Sequence, residues 1–168
     1  MKTLLLMRHG RAEKFSDYQS DIFRDLLRSG IEETRIIGNK VKATGFTPDI
    51  IISSKARRAE ETAKVMASCL HADAESIVVD YRIFEAFETE LLEIIMELPD
   101  ELSSVLIVGH NPTLSQLSFR LFSGSTLEFP PSAVVSLSFD TKTWQSITAV
   151  SSMFNYYLYP NGCTSGSV

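Results

Sequence analysis

The chain has 168 residues, of which 44% are hydrophobic and 22% charged, and its net charge is −5. These values are typical of one soluble globular domain, and they argue against a disordered chain and against a general affinity for nucleic acid or anionic membranes. We predict no membrane-spanning helix and no signal peptide, because the apolar runs are short and a basic segment interrupts the first of them. The two cysteines, Cys69 and Cys163, fit neither a disulfide framework nor a zinc site, so we expect free thiols and a cytoplasmic protein.

Short runs of Ile, Leu and Val predict four β-strands in the first two thirds of the chain. They lie at residues 3–7, 49–53, 77–80 and 104–108. These runs are apolar at consecutive positions, which is the pattern of interior strands in a parallel sheet that helices cover on both faces.

Helical patterns alternate with these strands. The predicted helices span residues 30–44, 58–70 and 89–98, and a fourth opens at Pro112 and ends at Gly124. Apolar residues recur along each of them at helical spacing, as Leu91, Ile94 and Ile95 do in the third. Gly45 and Pro99 mark the ends of the first and third helices.

The pattern changes after Pro130-Pro131. Residues 133–139 and 144–150, joined by 140–143, predict a β-hairpin or two neighbouring strands. Residues 161–168 are rich in Gly and Ser, which predicts a flexible C-terminal tail after a single domain at residues 1–160. The order of elements predicts an α/β fold, a three-layer α/β/α sandwich with a mostly parallel central sheet.

Three of the predicted strands end in charged or polar residues. The first ends in Arg8-His9-Gly10, the second in Ser53-Ser54 with Arg57-Arg58 close behind, and the fourth in Gly109-His110-Asn111-Pro112. Ligands of open α/β sheets bind beyond the carboxyl ends of the strands. We therefore expect one pocket that contains two of the three histidines of the chain and at least two arginines.

These residue types point to phosphate chemistry. Arginine binds phosphate oxygens with two parallel hydrogen bonds, and helix N-termini after two of the strand ends would add backbone N–H groups. A neutral imidazole can attack phosphorus, and neighbouring arginines lower its pKa and keep it neutral. The sequence has no Gly-rich loop that ends in Gly-Lys-Ser/Thr, which disfavours a nucleotide-driven kinase or ATPase. The candidate reaction is phosphoryl transfer to His9.

Three motifs in a fixed order carry a resemblance to a known family. They are Arg8-His9-Gly10, then Arg58-Ala59-Glu60-Glu61-Thr62-Ala63, then Gly109-His110-Asn111-Pro112. Together they resemble the histidine phosphatase superfamily, in its phosphoglycerate mutase-like branch. The Asp-x-x-Arg-x-Leu segment that starts at Asp21 is most similar to the SixA-type phosphohistidine phosphatases. The likeness extends to about residue 162 and implies a phosphoglycerate mutase-like fold.

The resemblance implies a role for each matching residue. His9 would be the nucleophile and would form a transient phosphohistidine that water then hydrolyses. Arg8, Arg58 and His110 would complete the phosphate pocket and stabilise charge in the transition state. The family implies neither a metal nor a cofactor, and we expect none.

Two acidic residues are candidates for the proton donor. Glu85 lies where the mutase-like members place theirs, and Asp21, in the loop after the first motif, is the alternative. We favour Glu85. An imidazole is a better leaving group than an alkoxide, so a phosphohistidine substrate depends less on this acid.

Other residues near the motifs have structural interpretations. We expect Lys55 and Arg57 to lie on a solvated face, and Arg57 is also a candidate for a peripheral anion contact. His71 is predicted to lie on the surface at a helix end. Packing in the core and at the sheet edge is the preferred interpretation of five aromatic residues, Phe84, Phe87, Tyr156, Tyr157 and Tyr159.

The predicted function is that of a metal-independent phosphatase acting on phosphohistidine in a protein, such as a phosphorelay domain. The compact chain supports a protein substrate, because mutase-like enzymes that enclose small metabolites insert long segments between the second and third motifs. Two alternatives remain: a small-molecule phosphomonoesterase or mutase with the same pocket, and a non-catalytic phosphate-binding module. We predict no nucleic-acid or membrane partner.

Overall fold

A single mixed sheet runs through the centre of the computed structural model, which describes residues 1–17, 19–122 and 127–165. In this part of the chain the sheet has seven strands, in the order β3-β2-β4-β1-β5-β6-β7. They are β1 Lys2–Arg8, β2 Ile50–Ser53, β3 Ile77–Val79, β4 Ser104–Gly109, β5 Val134–Phe139, β6 Ser152–Tyr159 and β7 Gly162–Ser165. The four strands predicted from the first two thirds of the sequence are confirmed.

The sheet is parallel in one half and antiparallel in the other. Strands β3, β2, β4 and β1 pair in parallel, whereas β1–β5, β5–β6 and β6–β7 pair antiparallel. The predicted α/β fold is therefore confirmed, and its sheet is mixed. The parallel half contains the strands that end in the three motifs.

Four α-helices cover the two faces of the sheet in the described residues. They are α1 Arg28–Ala43, α2 Arg57–Leu70, α3 Glu88–Met96 and α4 Thr113–Leu121. Side chains of a strand alternate between faces, and on β1 they divide accordingly: Leu4 and Leu6 join the core under α3 and α4, and Leu5 joins the core under α1 and α2. The predicted end of the fourth helix, Gly124, lies outside the described residues.

The predicted strand at residues 144–150 is wrong. Trp144–Ser146 forms a 3-10 helix, and the antiparallel partner of β5 is β6, which starts at Ser152. Trp144 and Ile147 are both buried. Residues three apart lie on the same face of a 3-10 helix, so this turn can bury both side chains. The Trp144 indole N–H donates to the carbonyl oxygen of Leu102 at 2.8 Å, which holds this turn against the end of the sheet.

The predicted flexible tail is partly wrong. Residues 162–165 form β7, which pairs with β6 through Tyr159 opposite Gly162. Pro160 and Asn161 form the turn, and a Cβ at Gly162 would clash with the Tyr159 hydroxyl, so a larger residue here would have to displace the Tyr159 ring. Residues 166–168 lie outside the described part of the chain.

Other expectations can be placed on the fold directly. Cys69 and Cys163 are free thiols. His71 lies on the surface at the end of α2, as predicted. Its backbone is in the left-handed conformation, and its Nε2 lies 2.6 Å from the Lys42 ammonium. Within the described residues, no helix has both the length and the apolar content needed to cross a membrane.

Candidate active site

The three predicted motifs meet at one edge of the sheet. Strands β2, β4 and β1 are neighbours and run in parallel, so their carboxyl ends lie side by side. The backbone ladder continues past them, since the His9 N–H donates to the Gly109 carbonyl at 3.1 Å and the Ser54 N–H to the Val108 carbonyl at 3.1 Å. A cavity of about 560 Å³ opens here, and Arg8, His9, Arg58, His110, Glu85 and Asp21 all line it.

His9 is buried, and its two ring nitrogens have different partners. Nδ1 lies 2.8 Å from the Gly10 carbonyl oxygen, which can only accept a hydrogen bond, so this nitrogen carries the proton. Nε2 accepts a hydrogen bond from the Arg58 Nε at 3.2 Å. Burial, and then the charges of Arg58, Arg8 and Arg24, lower the pKa of His9 to about 4, although its bond to Gly10 acts in the opposite direction. The imidazole is neutral at physiological pH, and its Nε2 carries no proton.

A closed ring of hydrogen bonds holds His9 in this orientation. The Gly10 N–H donates to Thr62 Oγ1 at 3.0 Å, and the Thr62 hydroxyl donates to the Arg58 carbonyl at 2.7 Å. The Arg58 side chain then returns to His9 Nε2, and His9 Nδ1 to Gly10. Thr62 is completely buried on α2. The ring fixes the imidazole to the first turn of that helix.

Gly10 allows the strand end to approach α1 closely. A Cβ at this position would lie 2.9 Å from both Leu26 Cδ1 and Thr34 Oγ1, and 3.0 Å from the Gly30 carbonyl oxygen. A Cβ at Gly30 would lie 2.2 Å from the Arg11 carbonyl oxygen. The two glycines therefore let the turn after β1 pack directly against the start of α1.

His110 faces His9 across the floor of the cavity. Their ring centroids are 5.1 Å apart, and the His110 Nε2 lies 2.8 Å from the Ser54 hydroxyl oxygen. Burial, and then the nearby His9 and Arg58, lower the pKa of His110 to about 3. His110 is therefore a neutral hydrogen-bonding group at the pH where His9 is also neutral.

The two predicted arginines are anchored in different ways. Arg58 is 5% exposed, and its guanidinium donates to the Asp21 carbonyl at 2.6 Å and to Asp21 Oδ2 at 2.8 Å. Arg8 donates to the Phe129 carbonyl at 2.7 Å, while its buried Nε has no hydrogen-bond partner in the described residues. Burial and the charge of Arg58 lower the pKa of Arg8. Their free N–H groups form a site suited to a phosphoryl group.

The two candidate proton donors differ in their surroundings. Asp21 accepts hydrogen bonds from Arg58 and from Arg24, the latter at 2.6 Å. Burial raises the pKa of Asp21, but the hydrogen bonds from Arg24 and Arg58 outweigh it and bring the pKa below its ordinary value. Glu85 is exposed at the outer edge of the cavity and has no hydrogen bond or ion pair with any described residue. Asp21 is thus ionised and already paired, whereas the Glu85 carboxyl group has no partner among the described residues.

The structure adds residues that the motif analysis did not single out. Arg24, Ser20, Phe84 and Asn111 also line the cavity. Arg24 is the arginine of the Asp-x-x-Arg-x-Leu segment that carried the resemblance. Its place in that motif was the signal that could have identified it. Ser54 and Thr62 lay inside recognised motifs, but only the fold brings their hydroxyl groups to His110 and Gly10.

The residues beside the motifs are only partly where we expected them. Arg57 lies outside the cavity, where it pairs with Asp25 at 2.7 Å, as expected for a solvated face. Phe87 is 71% exposed, so the prediction that it packs in the core is wrong. Phe84 is half-buried and lies edge-on to His110 at 5.7 Å. Among the described residues, no group of three or more His, Cys, Asp or Glu is placed to hold a metal ion.

Comparison with known proteins gives the same family. The sequence model of the histidine phosphatase superfamily (branch 1) matches residues 4–87. The chain is 29% identical over 155 residues to the phosphohistidine phosphatase SixA of Escherichia coli K12, an alignment that covers 84% of this chain and 91% of that protein.

Solved structures show the same likeness. The protein histidine phosphatase SixA complexed with tungstate has a TM-score of 0.80 and 27% identity, over 94% of this chain and 97% of that one. A mycobacterial glucosyl-3-phosphoglycerate phosphatase shares the fold alone, with a TM-score of 0.63 and 16% identity over 92% of this chain and 97% of that one. The chain belongs to branch 1 of the histidine phosphatase superfamily, and it is a phosphatase.

Proposed function

We propose that this phosphatase uses His9 as its nucleophile and removes phosphoryl groups from phosphohistidine in a protein. The observation that carries the proposal is the pair of bonds on the buried His9 ring. Nδ1 is held by Gly10, and the unprotonated Nε2 meets Arg58 at the floor of the cavity. A neutral nitrogen beside a guanidinium can attack phosphorus while the arginine binds the phosphoryl oxygens.

In the first step, the His9 Nε2 lone pair forms a bond to phosphorus as the P–N bond of the substrate breaks. The leaving imidazole takes its electron pair from that bond and a proton from Glu85. The Nδ1 proton stays on His9 and keeps its bond to the Gly10 carbonyl. Arg8, Arg58 and His110 stabilise the charge on the transferring oxygens.

In the second step, water attacks the phosphorus of phosphorylated His9. The new P–O bond forms as the bond to Nε2 breaks, its electron pair returns to Nε2, and the proton of water passes to the Glu85 carboxylate. Glu85 is preferred over Asp21 for both proton transfers, because Asp21 already accepts hydrogen bonds from Arg58 and Arg24. The products are orthophosphate and the free enzyme.

Two observations support a phosphohistidine substrate within a protein. The Escherichia coli relative described above, SixA, is itself a phosphohistidine phosphatase. In addition, the wall of the cavity formed by Phe84 and Glu85 continues into an exposed groove, where Tyr81 and Phe87 are each 71% exposed. Such a rim admits a macromolecule, whereas a small metabolite gains most from an enclosed pocket.

The test is to trap the intermediate and identify its position. The protein is mixed with a phosphohistidine peptide labelled at phosphorus, quenched in base and analysed by mass spectrometry for an acid-labile phosphate on His9. We expect that modification in the wild-type protein, and we expect the His9→Ala variant to fold, to lack the modification, and to lose at least about 10⁴-fold in turnover. Full activity in His9→Ala would disprove the mechanism, and turnover of sugar or glycerate phosphates but not of the peptide would favour the small-molecule alternative.

A further inference from the structure

A second cavity continues from the active site along the surface. Its volume is about 450 Å³, and it lies between the 3-10 helix Tyr81–Glu85 and helix α3. Phe84 and Glu85 line both cavities, so the two are continuous at these side chains. We call this second cavity the rim groove. A group attached to a phosphoryl donor in the active site would extend into it.

The rim groove carries exposed aromatic rings. Tyr81 and Phe87 are each 71% exposed, although large aromatic side chains contribute most to stability when they are buried. The Lys55 ammonium lies 5.7 Å from the Tyr81 ring centre and 5.2 Å from the Phe84 ring centre. Exposed aromatic residues beside a catalytic pocket are typical of surfaces that bind another polypeptide.

The active site is lined by more cationic than acidic side chains, whereas the rim groove is lined by more acidic than cationic ones. Arg82 is paired with Asp80 and with Glu97, both at 2.8 Å, so its charge is already compensated. The Glu85 and Glu93 side chains line the groove without a hydrogen bond or ion pair to a described residue. The active site thus attracts an anion. The groove next to it is lined by three carboxyl groups that have no cationic partner among the described residues, Glu85, Glu90 and Glu93, whereas its one cation without an ion pair there, Lys55, lies over the aromatic rings.

We infer that the rim groove binds the polypeptide segment that flanks the phosphohistidine, and that it selects a basic side chain on that segment. The basic group would lie against the Glu93 carboxylate, and an apolar neighbour would contact Tyr81 and Phe87. This occupant matches both charge patterns at once, since its phosphoryl group is an anion and its flank a cation. The inference rests on the proposed function, because it assumes a phosphohistidine polypeptide as the substrate.

The test compares three phosphoryl donors on the intact protein. Two are phosphohistidine peptides of equal length, one with arginine and one with glutamate at the flanking positions, and the third is phosphoramidate, which has no flank. For the Tyr81→Ala/Phe87→Ala double variant, we expect kcat/KM to fall about tenfold on the arginine peptide, mainly through KM, and to stay within about twofold on phosphoramidate. An equal fall on all three donors, or no fall on the peptide, would overturn the inference.

Charge reversal gives an independent readout. Glu93→Lys should reverse the preference, with the glutamate peptide becoming the better substrate, and Glu101→Lys makes the same charge change at an exposed position outside the groove. If both variants shift the preference equally, the effect is one of net charge and the inference is wrong. A wild-type protein that hydrolyses phosphoramidate but neither peptide would instead overturn the proposed function, and the inference with it.

Discussion

The floor of the active site and the rim groove beside it are built on opposite principles. On the floor, Arg58 and His9 are buried, and both side chains are hydrogen-bonded to backbone or side-chain partners. In the groove, Tyr81, Glu85 and Phe87 are exposed, and the Glu85 carboxylate has no partner among the described residues. In the proposed mechanism the floor acts on every phosphoryl donor alike, whereas the groove offers free groups that a bound polypeptide would pair with.

The two regions also differ in what sets their protonation. Burial lowers the pKa of both histidines on the floor, and the arginines around them act in the same direction. Arg82 in the groove shows the opposite case, because the hydrogen bonds that it donates to Asp80 and Glu97 raise its pKa while it stays exposed. Substitutions on the floor should therefore change catalysis for every substrate, and substitutions in the groove should change the choice of substrate.

The strongest test of this division uses two neighbouring arginines. Arg58→Gln removes the guanidinium that contacts His9 and Asp21, and we expect kcat to fall by about 100-fold or more on all phosphoryl donors. Arg57→Gln is the matched control, because Arg57 is exposed and pairs with Asp25 outside the cavity, so its loss should change kcat less than about twofold. Steady-state rates on phosphoramidate measure both. Similar losses in the two variants would contradict the separate roles of the floor and the surface.

A smaller effect is expected from the hydrogen-bond ring beneath His9. Thr62→Val keeps the shape of the side chain but leaves the Gly10 N–H without its acceptor, so the imidazole loses part of its orientation. We expect kcat to fall about tenfold while KM stays nearly constant. Thr62→Ser, which restores the hydroxyl group, should recover most of the rate. A Ser variant as slow as the Val variant would show that the methyl packing of Thr62 matters and its hydroxyl does not.

The neutral state of the floor predicts a pH-dependent stability. His9 has a pKa of about 4 in the folded protein and an ordinary value of 6.5, so between these values the unfolded chain binds more protons. The free energy of unfolding should therefore fall as the pH decreases through this range, by about 1.4 kcal/mol per pH unit from His9. Urea unfolding of the wild type and of His9→Asn at about pH 4.5 and about pH 6 measures the difference. Parallel slopes would mean that His9 is not held neutral by the fold.

The position of the active site could be predicted because it depends on the regular part of the fold. Consecutive apolar residues predict buried parallel strands, and the carboxyl ends of such strands meet at one edge. Arg8, His110 and Arg58 followed three of these strands, and the structure brings all three to the same cavity. The local sequence was sufficient here, because each residue is placed by the strand or helix that carries it.

The parts that could not be predicted depend on contacts between distant segments. Asp21 was a candidate from its place in the chain, but its contacts were not predictable, because Arg58 on α2 donates to both its carbonyl and its carboxylate. Trp144 lies in a 3-10 turn rather than a strand because its indole finds the Leu102 carbonyl. The exposure of Phe87 is a further case, since a phenylalanine is usually buried and residue type alone favours packing.

The smallest effect should come from Glu85, where the floor and the rim groove join. Glu85→Gln removes the proposed proton donor, and we expect a loss below about tenfold on phosphohistidine, because imidazole is a good leaving group. On aryl phosphates the loss should grow as the pKa of the leaving phenol rises, since the variant cannot neutralise the departing oxygen. Glu93→Gln makes the same change of charge further along the groove and should leave the aryl phosphate series unchanged. If Glu85→Gln slows all aryl phosphates equally, Glu85 acts through its charge and not as an acid, and the proton must come from another group.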